Sequence, residues 1–199
     1  MPEQPELVVP DAAAWRTWLE ENHATSDGVW LVLSRRKSTA TTALTYAEAL
    51  DEALCFGWID SQVRRRDETS GSQRFTPRRS RSPWSARNVG IVARLEAEGR
   101  MTEAGRAEVR RAQDDGRWDR AYGGPATLAV PDDLTAALDA EPRARRMFDV
   151  LTSQNRFAVV YRVEEAVRPE TRARRIAQHV EMLARGETPF PQKARPDGG

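Results

Sequence analysis

The sequence predicts an α+β protein, a small antiparallel sheet flanked by helices and followed by an all-helical C-terminal subdomain, and three observations carry that prediction. The apolar run at residues 29–33 is too short for a helix and rich in strand formers, which makes it a buried strand. Thr45 to Glu48 spell a capping box directly before an amphipathic series. From residue 132 to residue 186 the apolar positions recur at helical spacing.

Residues 1–11 contain Pro2, Gln4 and Pro5 and no period, so they read as an extended lead-in. The N-terminal domain is expected over residues 12–117. Asp11 can cap a first helix on which Trp15, Trp18 and Leu19 fall at i, i+3 and i+4, a single inward face. Ser26, Asp27 and Gly28 turn the chain into the 29–33 strand, and residues 35–44, a Ser/Thr/Ala cluster around Lys37, read as a loop. A second helix spans about 46–56 with Leu50, Ala53 and Leu54 inward, and Gly57 stops it. Apolar residues then nearly vanish between 60 and 79 around a turn at Ser70, Gly71 and Ser72, a pattern that fits a solvent-facing hairpin. Ser82 and Pro83 form a cap and first-turn pair for a third helix, and Thr102 starts a fourth that ends near Gly116.

Residues 118–131, punctuated by Tyr122, Gly123, Gly124, Pro125 and Pro131, are the expected linker. The subdomain at 132–186 then carries four short helices, marked by Leu134 and Leu138, by Met147, Phe148 and Leu151, by Phe157, Val160 and Tyr161, and by Ile176, Val180 and Leu183. About three apolar residues per helix make a narrow stripe, which predicts packing onto the first part in place of a separate core. Residues 187–199 are expected to be a disordered tail.

The 199 residues carry 31 Lys+Arg against 30 Asp+Glu, a net charge of +1. No apolar run approaches the ~20 residues of a membrane span, and the first residues lack the basic and apolar regions of an export signal. A cytoplasmic protein without membrane insertion is therefore expected. Cys55 is the lone cysteine, which excludes an internal disulfide, and His23 and His179 are too far apart to suggest a metal pair. No Gly-rich phosphate loop follows a strand, so neither a cofactor nor a metal site is expected.

Charge is unevenly placed. Between residues 62 and 100, ten arginines meet four acids, net +6, while the remaining residues carry 21 basic against 26 acidic side chains. Such a local excess attracts anions, and the planar fork of arginine suits phosphate or carboxylate. Phe75, Trp84, Ser82, Ser85 and Asn88 are interleaved with the charges, so stacking surfaces and hydrogen-bond donors would surround a basic rim. Together with Lys37, Asp60, Arg74 and Arg78 they form the candidate ligand-binding set. A solvated Arg-rich hairpin accounts for the same charges. A nucleic-acid surface uses similar ingredients, but the overall charge balance counts against it.

Cys55 sits late in the second helix between Leu54 and Phe56, a setting for an inert buried thiol. An enzyme reading would use Cys55 or Asp60, yet no base lies near either in sequence, so no catalytic residue is assigned. Asp60 follows the helix end and can orient an arginine such as Arg74 or Arg78, or simply serve a turn.

The runs YAEALDEALCFGWIDSQ (46–62), RFTPRRSRSPWSARN (74–88) and NRFAVVYRVEEAVRPETRARRIAQHVEMLARG (155–186) resemble the bacterial YdeI/OmpD-associated family, also called bacteriocin-protection. The resemblance covers residues 12–186. It departs at Ser61, where the family pattern often has glycine after the aspartate. It implies an association with envelope stress and resistance to bacteriocins without an established reaction. The matching positions include Lys37, Tyr46, Cys55, Trp58, Asp60, Arg74, Phe75, Arg78, Ser82, Trp84, Ser85 and Asn88. Residues and resemblance together predict a stress-resistance or ligand-binding protein with a basic, aromatic-lined cleft for a small anion. An enzyme and a nucleic-acid-binding module are the alternatives, and no protein partner follows from the sequence.

Overall fold

Two units divide the chain in the computed structural model, Met1–Ala121 and Tyr122–Gly199, and the structure describes residues 4–34, 42–68, 70–124 and 129–196. The first unit runs β1 (Glu6–Leu7), α1 (Ala12–Asn22), β2 (Val29–Ser34), α2 (Tyr46–Cys55), β3 (Trp58–Arg65), β4 (Ser70–Pro77), α3 (Ala86–Ala97) and α4 (Glu103–Asp114). Its sheet has the order β1-β2-β4-β3. The α+β class holds, with one refinement: β1 lies parallel to β2, so the sheet is mixed, and the lead-in contributes its edge strand.

Local signals at the helix starts are realised as read. Asp11 accepts from the Ala14 amide, and Thr45 and Glu48 close the capping box of α2. The third helix is an exception. Ser82 and Pro83 belong to the preceding turn, and Ser85 caps α3 by accepting from the Asn88 amide.

The 60–79 segment differs more. It is a hairpin, but β4 is an interior strand, antiparallel to both β2 and β3, and Ser70, Gly71, Ser72, Gln73 and Phe75 are buried. Small polar residues fit there because ladders on both sides satisfy the backbone and the hydroxyls find carboxylates. Ser70 Oγ donates to Asp67 Oδ2 at 2.6 Å and Ser72 Oγ to Glu6 Oε2 at 3.4 Å.

One face of the sheet presents Val29, Leu31 and Leu33 with Phe75, which pack with Trp15, Leu19, Leu50, Leu54 and Trp58 in the core. Trp15 and Trp18 stack at 5.2 Å, and both stand edge-on to Trp58. Two of the three buried indoles, Trp15 and Trp58, have their donors satisfied by backbone, Trp15 Nε1 on Ala49 O and Trp58 Nε1 on His23 O. Helix α4 crosses the end of α2 at Gly105, where a Cβ would collide with the Cys55 carbonyl. Arg16 and Arg100 meet Glu52 on α2 at 2.8 and 2.6 Å.

The second unit contains α5 (Asp132–Asp139), α6 (Pro142–Asp149), α7 (Ser153–Glu164) and α8 (Pro169–Ala184). Its apolar stripes are narrow one by one, yet they converge. Leu134, Leu138, Met147, Phe148, Val159, Val160, Val163, Ile176 and Leu183 form a core of their own, contrary to the expectation of a shared one. On α7 the inward positions are Asn155, Val159, Val160 and Val163, while Phe157 and Tyr161 stack together half-buried beside Tyr122. The stretch following α8 is also ordered by partners. Asn155, 1% exposed, binds Phe190 through both backbone groups, and Gln192 donates to Val150 O.

Candidate functional site

The ten arginines of the basic segment have different fates. Arg64 and Arg66 both pair with Glu6, Arg94 with Asp51 and Glu98, and Arg100 with Glu52 and Glu98. These four spend their charge on structural carboxylates. Arg74 faces away from the helices, as a strand neighbour of inward Phe75 must, and donates to Gln4 at 2.7 Å. Among the described residues, Arg65, Arg79, Arg81 and Arg87 have no carboxylate partner, and all four are exposed. Three of these stand within nine residues, at the turn between β4 and the start of α3.

Asp60 lies opposite Phe75 on the helix-facing side of the sheet, next to a register shift between Asp60 and Val63. Its partner is neither Arg74 nor Arg78 but Tyr46, whose hydroxyl donates to Oδ2 at 2.9 Å. Tyr46 begins α2, and the Arg87 guanidinium lies 5.4 Å from its ring centre. Burial, with Asp60 adding to it, pushes the Tyr46 phenol up to about 12, so it remains a hydrogen-bond donor at neutral pH. Phe75 is fully buried in the core and cannot line a cleft.

Arg78 leaves the end of β4 and folds inward, 6% exposed, with its guanidinium 3.6 Å from the centre of the Trp84 ring and Nη1 donating to Pro83 O at 3.1 Å. Trp84, 2% exposed, packs edge-on against Trp118 at 4.8 Å. Arg117 completes the group: Nη1 donates to Ser82 O at 2.8 Å and Nε to Asp115 at 2.8 Å. Two guanidinium groups are thus anchored on consecutive carbonyls, beside two indoles.

Of the expected set, the structure brings Arg78, Ser82 and Trp84 together. Ser85 is spent on the α3 cap, Asn88 is buried one turn into that helix, and Asp60, Arg74 and Phe75 stand elsewhere. Lys37 lies outside the described residues. Arg117 and Trp118 were missed because they sit in and beside the expected linker, more than thirty residues from Trp84, and no sequence period links the two segments.

Cys55 is fully buried, and burial, with Glu52 adding to it, pushes its thiol up to about 11. A group held protonated and closed to solvent is a poor nucleophile. In the second unit α5 and α8 enclose a groove of about 460 Å³, lined by Ala137, Ile176, Ala177 and Val180 with Asp133 and Arg172 at its polar part. Among the described residues no cluster of metal-ligating side chains occurs, and no helix is long and apolar enough to cross a membrane.

No curated protein and no solved structure matches the chain. Residues 127–186 match the family described as Bacteriocin-protection, YdeI or OmpD-Associated, where the resemblance of the 155–186 run placed them. The N-terminal motifs fall instead within a match over residues 7–108, about half the chain, to a family described as Domain of unknown function (DUF8412). The chain therefore belongs to that N-terminal family and carries a Bacteriocin-protection, YdeI or OmpD-Associated segment as its second unit.

Proposed function

We propose that the first unit is an anion-binding module acting at the turn between β4 and α3. The observation that supports this reading is the distribution of charge partners: among the described residues Arg79, Arg81 and Arg87 lack carboxylates, whereas their neighbours Arg64, Arg66, Arg94 and Arg100 are paired. Exposed cations that cost nothing to unpair raise the local concentration of anions and steer them inward. On the physiological side the reading is a cytoplasmic stress-resistance protein of bacteria that responds to a small anionic ligand, and the word bacteriocin-protection in the description of the family matched over residues 127–186 supports its resistance part alone.

Titration with small anions, nucleotides and short oligonucleotides at two salt concentrations, followed by thermal shift, tests the proposal. A small anion that stabilises the protein with weak salt dependence supports it. Replacement of Arg79, Arg81 and Arg87 together by glutamine should abolish that stabilisation. Oligonucleotide binding that collapses steeply with salt would replace this reading with a nucleic-acid surface.

A further inference from the structure

Buried donors are normally matched, and beside the exposed cations this rule is broken. Trp84 Nε1 and Arg117 Nη2 are closed to solvent and have no acceptor among the described residues. An unmatched buried donor of this kind requires an explanation in a missing partner. Arg117 reaches Ser82 O and Arg78 reaches Pro83 O, carbonyls of consecutive residues whose Cα atoms are about 3.8 Å apart. Asp115 accepts from Arg117 Nε, which leaves Nη2 as the unmatched donor of that guanidinium.

Resting on the anion-binding reading, we propose that Trp84, Arg78 and Arg117 hold a compact tetrahedral oxyanion, phosphate or sulfate, either free or as the terminal group of an organic ester. An indole N–H and guanidinium groups approach from different side chains, and a tetrahedral oxyanion meets them with four oxygens spread in three dimensions, where a carboxylate holds two in one plane. Trp84 is fixed by Arg78 over its face and Trp118 at its edge, so its N–H is held before the ligand arrives. The donors are closed, so the ligand enters by shifting the turn that carries exposed Arg79, Ser80, Arg81 and Pro83.

The test follows the Trp84 indole resonance by NMR during titration with sodium sulfate, sodium phosphate and AMP. Sulfate and phosphate should both move that resonance. Trp84→Phe, which keeps an aromatic ring and deletes the donor, should weaken sulfate about tenfold, and Arg117→Gln at least as much. Should Arg117→Gln fail to fold, Trp84→Phe alone decides. Tighter binding of AMP than of phosphate identifies an ester as the source, and equal binding identifies the free ion. If sulfate binds both variants as it binds the parent, the anion sits on Arg79, Arg81 and Arg87, so this site is wrong and the broader reading stands. If neither anion binds the parent, both are wrong.

Discussion

Asn155 clamps Phe190 by both of its backbone groups, accepting from the Phe190 amide at 2.8 Å and donating to the Phe190 carbonyl at 3.0 Å. The same Nδ2 also donates to Gln192 Oε1 at 2.8 Å, and Gln192 in turn accepts from the Thr152 amide. One buried amide on α7 therefore ties down the segment that follows α8.

Asn155→Ala should release this segment at a cost of about 2 kcal/mol, because it leaves both Phe190 backbone groups without this partner and removes one of the two bonds to Gln192 Oε1. Amide hydrogen exchange at residues 188–192 should become fast, while exchange within α5 and α6 stays slow. Unchanged protection at 188–192 would mean that side-chain packing holds the segment instead.

Glu52 carries a comparable load in the first unit, accepting from Arg16 and Arg100 with its side chain 9% exposed. Glu52→Gln should lower stability by about 2 kcal/mol, since both guanidiniums keep partial access to water and so avoid the full cost of a buried unpaired charge. Arg100→Ala should also destabilise, although the residue is far from the anion site. The urea midpoint reports both, and an Arg100→Ala midpoint equal to that of the parent would contradict this account.

Gly105 lies against the Cys55 carbonyl with no room for a Cβ. The same carbonyl accepts from the Thr102 amide at 3.1 Å and the Thr102 hydroxyl at 2.6 Å, which fixes α4 to the end of α2. Gly105→Ala must separate the two helices or bend one, for about 2 kcal/mol, the ordinary cost of overpacking. Gly90, with open space around its Cα, is the matched control. Gly90→Ala on α3 should be neutral or slightly stabilising in the same denaturation experiment.

The Cys55 thiol titrates near 11 in the folded protein, above the ordinary value near 9. Between these values the folded state keeps a proton that the unfolded chain has lost, so stability is fully present below about pH 9 and declines as pH rises toward 11. Thiol reagents at pH 7–8 should react slowly with the native protein and rapidly once it is unfolded. Cys55→Ala should flatten the alkaline decline; an identical decline in the variant would assign it to other groups, Tyr46 among them.

Helix boundaries in this chain were legible wherever a local chemical signature set them. Thr45 and Glu48 announce α2 because a capping box is satisfied within four residues, and Asp11 and Thr102 announce α1 and α4 in the same way. The start of α3 was misplaced because Ser82-Pro83 and Ser85 both carry cap chemistry. Only the Arg117 bond to Ser82 O and the packing of Trp84 decide between them.

The sequence by itself determined the α+β class, the strand at 29–33, the helical C-terminal segment and the concentration of arginine between 62 and 100, all of which depend on composition or on contacts a few residues apart. Tertiary structure alone decided that β4, polar in sequence, is an interior strand, since burial there depends on β2, more than thirty residues away, closing the side that β3 leaves open. It also decided which arginines are consumed by ion pairs. Carboxylates such as Glu6 and Asp51 come from distant segments, and Coulomb attraction depends on separation in space, which the order of residues does not encode.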